Sequence, residues 1–164
     1  MNKGHLDESE AKPIFRQILE AVQYIHSNRV AHRNLKVESI LIDESWQFKI
    51  TNFILANFVD RNNLVKTPCG SPCYASPECI SGQPYNGFTS DVWSCGVILF
   101  VMLTGSFPWT KRKQAELFTQ IRNGRFTIPS KLSPEAQNII KKLMTVNPIE
   151  RYTIEDALSD PWLS

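Results

Sequence analysis

The sequence predicts a mainly α protein of the α+β family, a helical bundle carrying one small β-hairpin. Three observations predict it. Apolar residues recur at helical spacing through Ile14, Phe15, Ile18, Leu19, Val22 and Ile25. The stretch from Ser90 to Leu103 is apolar on nearly all sides, the mark of a helix buried at the centre of a packed domain. Two short β-type runs, "SILID" at Ser39 to Asp43 and "WQFKIT" at Trp46 to Thr51, flank "ES" as a hairpin would.

Each element carries local signals. Asp7 followed by Glu10 reads as a helix start. Pro13 cannot donate a backbone hydrogen bond and crowds the preceding turn, so the regular helix is expected to begin near it, after a loose turn. Ser27 and Asn28 in "HSNRV" suit its end. "TPCGSPCYASPE", Thr67 to Glu78, is rich in Pro, Gly and Ser and predicts a long loop of the kind that carries function. "KQAELFTQIRNG" predicts an amphipathic helix closed by Gly124. Ser133 before Pro134 is a cap followed by a first helical position. The helix it opens carries Ala136, Ile139, Ile140, Leu143 and Met144. Thr153 opens a last short helix that ends at "DPW".

Composition narrows the classes of function. A chain of 164 residues fits one domain, and 42% hydrophobic residues suffice for an ordinary core. A net charge of +2, with no basic run longer than "KRK" at Lys111 to Lys113, gives no nucleic-acid signature. The first residues are polar, without a secretory signal. The longest apolar run, within Val92 to Leu103, falls short of the about 20 residues a membrane span needs. Cys69, Cys73, Cys79 and Cys95 form no Cys-x-x-Cys pair, and His5, His26 and His32 lie far upstream. They read as scattered reduced thiols rather than a metal site, which places the chain in the cytosol or nucleus.

Taken in order, these pieces resemble the C-terminal lobe of a eukaryotic serine/threonine protein kinase, nearest the calmodulin-dependent and AMP-activated-like group. "HRNLKVES" stands where the family has H-R-D-L-K-x-x-N, and "TNFILA" where it has D-F-G. "CGSPCYASPE" matches the end of the activation segment. "SDVWSCGVILFVMLTGSFPW" matches the central helix, and "NPIERYTIEDALSDPW" the C-terminal helices. The resemblance covers nearly the whole chain, 1–164, as a truncated kinase-like domain. Met1 falls just before the family's first long C-lobe helix, so the N-lobe is expected to be absent. No G-x-G-x-x-G occurs.

The resemblance assigns roles, and four positions depart from it. The catalytic carboxylate position is Asn34. An amide can hold a hydroxyl but has no proton-accepting capacity near neutral pH. The metal-binding positions are Ser39, a short ligand, and Asn52, which lacks the negative charge a hard dication favours. Ile54 replaces a glycine and loses access to positive φ. Other positions match. Lys36 stands at the phosphate-contacting lysine. His32 and Phe53 belong to the family's packing column. Arg33 matches the arginine that binds a phosphorylated activation segment. Thr67 sits at the phosphosite, where a phosphate would pair with Arg33; an unmodified loop threonine is the alternative. Ser71 matches the hydroxyl that touches the catalytic carboxylate, here without a carboxylate partner. Glu78 and Arg151 match a buried ion pair, and Asp91 the carboxylate that bonds the catalytic-loop backbone. Leu41 would lie on the floor of a nucleotide site.

The resemblance thus implies a pseudokinase that acts as a protein-binding scaffold. The alternatives are one half of an ATP-dependent serine/threonine protein kinase, completed in trans or cut from a longer chain, and a duplicate without function. ATP and Mg²⁺ are implied by the family alone, and no bound cofactor is expected. A protein partner is expected on the face the N-lobe would cover or on the substrate-docking helices, with no nucleic acid and no membrane.

Overall fold

The computed structural model describes residues 4–60, 62 and 64–164; Met1 lies outside them. The first helix, α1, runs from Glu8 to Ser27. The Asp7 N–H donates to Glu10 Oε2 at 2.9 Å, and the Ala11 N–H to the Asp7 carbonyl at 2.9 Å. Glu8 and Glu10 in the first turn complement the helix dipole. The expected late start at Pro13 is therefore corrected: the helix begins five residues earlier. Pro13 sits on the exposed face, so the carbonyl it leaves unpaired can bond water, while Ala11, Phe15, Ile18, Leu19, Val22 and Ile25 bury the opposite stripe. Asn28 caps the C-terminus, and Arg29 turns the chain at φ 62°.

Short strands follow. β1 (Val30–Ala31) pairs antiparallel with β4 (Asn57–Phe58). β2 (Ile40–Ile42) and β3 (Phe48–Ile50) make the predicted hairpin, with Leu41 opposite Lys49. Asp43 organises its turn, accepting from the N–H groups of Ser45 and Gln47 and pairing with Lys49 at 2.7 Å. β5 (Leu64–Val65) pairs with β6 (Tyr85–Asn86). Between them the long loop contains 3₁₀ turns at Pro72–Tyr74 and Cys79–Ser81.

The central helix α2 spans Gly87–Thr104. Asn86 Oδ1 caps it, accepting from the N–H groups of Phe88 and Thr89 at 2.9 and 3.2 Å, and Gly105 ends it at φ 71°. Its 18 residues have the length and apolarity of a membrane span, but 72% of them are buried inside the bundle, so the apolarity serves the core. α1 and α4 (Pro134–Leu143) pack on it, and α5 (Ile154–Leu158) packs on α1. At Gly96 the approach of α4 is close: a Cβ there would meet Met144 Cγ at 2.7 Å and Leu143 Cβ at 2.9 Å. α3 (Gln114–Arg122) ends at Gly124, and Arg122 Nη2 reaches the Ile80 carbonyl at 3.2 Å.

Side chains join sequence-distant helix ends. Glu8 accepts from the Ser133 N–H at 2.8 Å, from Ser133 Oγ at 2.7 Å and from Trp162 Nε1 at 2.9 Å. One carboxylate thereby ties the start of α1 to the start of α4 and to the C-terminal Trp162, which meets Phe15 edge-on at 6.2 Å.

Candidate functional site

The segment from Ala31 to Ser39 is held from below by α2. Asp91, in the buried first half of that helix, accepts from the backbone N–H of His32 through Oδ2 and of Arg33 through Oδ1, each at 2.8 Å. His26, from α1, donates Nε2–H to Asp91 Oδ2 at 2.9 Å and stacks on Phe88 at 4.3 Å. A carboxylate only 1% exposed thus has three donors, as a buried charge requires. The sequence reading found Asp91 and missed His26. The available signal was a polar ring within one residue of the buried stripe of α1.

His32 is buried, and its neighbours fix its tautomer. Nε2–H donates to the Thr51 carbonyl at 2.9 Å, and Nδ1 accepts from the Asn34 N–H at 3.3 Å. Its ring meets Phe53 edge-on at 4.8 Å, so the two residues placed in one packing column do touch.

Asn34 projects towards the long loop. Its Oδ1 accepts from both the N–H and the Oγ–H of Ser71, at 3.1 and 3.2 Å. Two donors converging on one atom assign that atom as oxygen. The loop reaches this position through Gly70, at φ +97°, where a Cβ would stand 2.6 Å from the Arg33 carbonyl. Tyr74 extends the contact: its hydroxyl accepts from the Val37 N–H and donates to Glu38 Oε2, each at 3.4 Å. Burial pushes that phenol up to about 12.

Ser39 is fully buried and its hydroxyl is committed locally. Oγ accepts from the Lys36 N–H at 3.1 Å and donates to the Lys36 carbonyl at 2.8 Å. The hydroxyl at this degenerate metal position thus closes a turn. Asn52 is exposed, at φ 64° and ψ 56°, a left-handed conformation that asparagine tolerates. Ile54 keeps out of positive φ, as a β-branched residue should. The positive φ falls on Asn52, while Ile54 lies in the 3₁₀ turn Phe53–Leu55 and needs no such conformation.

Arg33 and Thr67 are in direct contact. Arg33 Nη2 donates to the Thr67 carbonyl and Nη1 to the Leu55 carbonyl at 3.4 Å, while its buried Nε has no hydrogen-bond partner among the described residues. Cys69 and Cys79 lie close by, with Cys79 Sγ donating to the Cys69 carbonyl at 3.6 Å, and all four cysteines are free thiols. Among the described residues no group of three or more His, Cys, Asp and Glu side chains is placed to hold a metal.

Glu78 and Arg151 form a bidentate pair at 2.6 and 2.9 Å. Arg151 also donates to the carbonyls of Thr145, Thr89 and Val146, and its guanidinium lies 5.1 Å from the Trp93 ring centroid. It therefore fastens the end of the long loop to α2 and to the segment before α5. Leu41, on β2 opposite Lys49, is 56% exposed.

Comparison with known proteins gives the family. The family model described as protein kinase domain matches residues 1–163. The chain is 46% identical over 161 residues to "Sucrose non-fermenting protein kinase 1" of Fusarium virguliforme, covering 98% of this chain and 23% of that protein. It is 44% identical over 162 residues to "Carbon catabolite-derepressing protein kinase" of Candida glabrata, covering 99% of this chain and 26% of that one. With "Serine/threonine protein kinase OSK3" of Oryza sativa subsp. indica the identity is 43%, over 99% of this chain and 32% of the relative. The chain thus spans about a quarter to a third of the length of these relatives. With its loop, central helix and anchoring pair in place, the chain belongs to the protein kinase domain family.

Proposed function

We propose that this chain is the C-terminal lobe of a kinase fold that has lost phosphoryl transfer and serves as a protein-binding scaffold. The observation that carries the reading is Asn34. Its amide oxygen faces Ser71 and the loop backbone as a carboxylate would, yet it cannot take a proton from a substrate hydroxyl. The kinase family uses ATP and Mg²⁺, but the residues at the ion-binding positions do not fit the ion. Asn52 offers a neutral amide where a hard dication favours a carboxylate, and Ser39 has spent its hydroxyl on the Lys36 backbone. Lys36 remains a point charge without these partners. An exposed apolar set runs over the hairpin and the following turn, with Leu41 56%, Ile42 48%, Phe53 44% and Ile54 87% exposed. Such surface suits a protein partner, and the face of α3 beside the long loop is a second candidate.

The test is a thermal melt of the purified chain with and without Mg-ATP. A ligand that binds only the folded state raises the midpoint once its concentration passes the dissociation constant. A cooperative melt without a shift is expected; a shift of several degrees overturns the nucleotide-free reading.

A second reading, one half of a serine/threonine protein kinase, is favoured by the identity of 43–46% to the kinases named above and by the intact anchoring through Asp91 and Arg151. Supplying an N-terminal lobe in trans separates the two. Phosphotransfer by the unaltered chain supports an enzyme, whereas phosphotransfer only after Asn34→Asp with Asn52→Asp supports a lost one.

A further inference from the structure

A cleft of about 680 Å³ lies between the second half of α1, the start of α2 and the start of α5. Asn34, Lys36 and Asn52 do not line it. Its volume is in the range of small-molecule and side-chain recognition sites, about 300–1,000 Å³. Glu20 and Tyr24 stand one turn apart on α1, and Glu155 flanks them from α5, where Oε1 accepts from Gln23 Nε2 at 3.5 Å. Phe88 and Tyr152 complete the aromatic wall.

Two glutamates, Glu20 and Glu155, line this wall. Among the described residues that line it, the one basic side chain, His26, is bound to Asp91. Glu20 makes no ion pair among the described residues. The rings themselves attract cations: Arg29 lies 5.7 Å from the Phe88 centroid and Lys142 5.8 Å from that of Tyr152. Tyr24, 72% exposed, lines the cleft with both glutamates and carries no such cation among the described residues.

We propose that this cleft binds an organic cation, a guanidinium or alkylammonium group, over the Tyr24 ring and between Glu20 and Glu155. The floor gives the site a consequence. His26 and Phe88 stack on each other there, and His26 holds the Asp91 carboxylate that anchors the backbone of His32 and Arg33. An occupant touching His26 thus bears on the support of the loop that carries Asn34. The proposal does not depend on nucleotide binding or on the loss of phosphoryl transfer.

The test is an NMR titration of the whole chain with L-argininamide and, in parallel, with L-citrullinamide, its uncharged analogue. Saturable shifts of the Tyr24 and Tyr152 ring signals are expected with argininamide. Citrullinamide should bind at least about tenfold more weakly, and Glu20→Gln with Glu155→Gln should weaken argininamide by a similar factor. Both glutamates are exposed, and a melt of the double variant checks that it folds. An arginine tripeptide capped at both ends distinguishes the source of the cation. Binding equal to the amide assigns a polypeptide side chain, and binding of the amide alone assigns a free small molecule; both support the site. Absence of a saturable shift, equal binding of the two amides, or undiminished binding by the folded double variant overturns it. The comparison of the two amides on the unaltered chain stands whether or not the variant folds.

Discussion

Asn34 and Ser71, 37 residues apart, meet through a single atom: Asn34 Oδ1 receives both the N–H and the hydroxyl of Ser71. An amide oxygen has the lone pairs to accept both bonds, so the loop docks without a negative charge. Removing the acceptor is expected to matter more than changing its charge. Asn34→Ala leaves the half-buried Ser71 N–H without its partner and should destabilise the fold by about 1–3 kcal/mol. Asn34→Asp retains the acceptor and should lose none of this. Urea unfolding of the two variants checks the contrast; equal losses would show that the contact is not what holds the loop.

Glu78 and Arg151 anchor the other end of that loop, and here charge is the issue. The Arg151 side chain is 0% exposed, and the Glu78 side chain 14%. Removing one partner of a buried pair costs about 3–5 kcal/mol, because the remaining charge stays buried. Arg151 keeps three backbone carbonyls after Glu78→Ala, which offset part of that loss. The expected cost is therefore near 3 kcal/mol, read as a lowered urea midpoint with an unchanged slope. A loss below about 1 kcal/mol, the range of exposed pairs, would mean that the carbonyls alone satisfy the guanidinium.

These two contacts also show what the sequence could reveal. Helix starts at Asp7, Ser133 and Thr153 are local chemistry, written in adjacent residues. So is the apolar stripe of α1. Pro13 misled because its local preference against helix was outweighed by the start at Glu8 and the burial of Phe15 and Ile18. The Glu78–Arg151 pair spans 73 positions, and no periodicity encodes such a pairing; only resemblance reached it. The stripe of α1 placed His26 beside buried positions, but its partner depends on α1 and α2 bringing it to Asp91. Ser39 was assigned by position, but its short hydroxyl finds the nearest backbone groups, those of Lys36.

The cysteines should react in an order set by burial. Burial pushes the Cys95 thiol far up, with Asp91 adding to it. Burial also raises Cys73, with Glu38 adding to it, and raises Cys69 against the opposing pull of Arg33. The thiolate is the nucleophile, so native labelling of Cys69 and Cys73 should be slow at pH 7 and quicken as pH rises through and beyond the ordinary thiol range, about 8.5. Cys95 should label only on unfolding. Mass spectrometry after timed alkylation reads this directly, and native labelling of Cys95 ahead of Cys73 would contradict it.

Glu8 gives the fold an acid-sensitive joint. Burial pushes its carboxyl up, but the hydrogen bonds from the Ser133 N–H, Ser133 Oγ and Trp162 Nε1, with the charge of Lys12, outweigh that and hold it below the usual range. A folded-state pKa below the unfolded one means that the unfolded chain binds the proton more readily. The contribution is present above the unfolded value, about 4.3 for glutamate, and is lost as pH falls from there through the lower folded value. Asp43 is lowered too, first by Lys49, and acts in the same direction. The informative quantity is therefore the difference between the unaltered chain and Glu8→Gln. Gln can still accept from Ser133 and Trp162 but carries no titrating proton. Unfolding free energies measured from pH 6 downward should differ most above about pH 4.3, and the gap should close as acid protonates Glu8. A gap constant across that window would mean that Glu8 acts through shape alone, and that the joint between α1, α4 and Trp162 owes nothing to its charge.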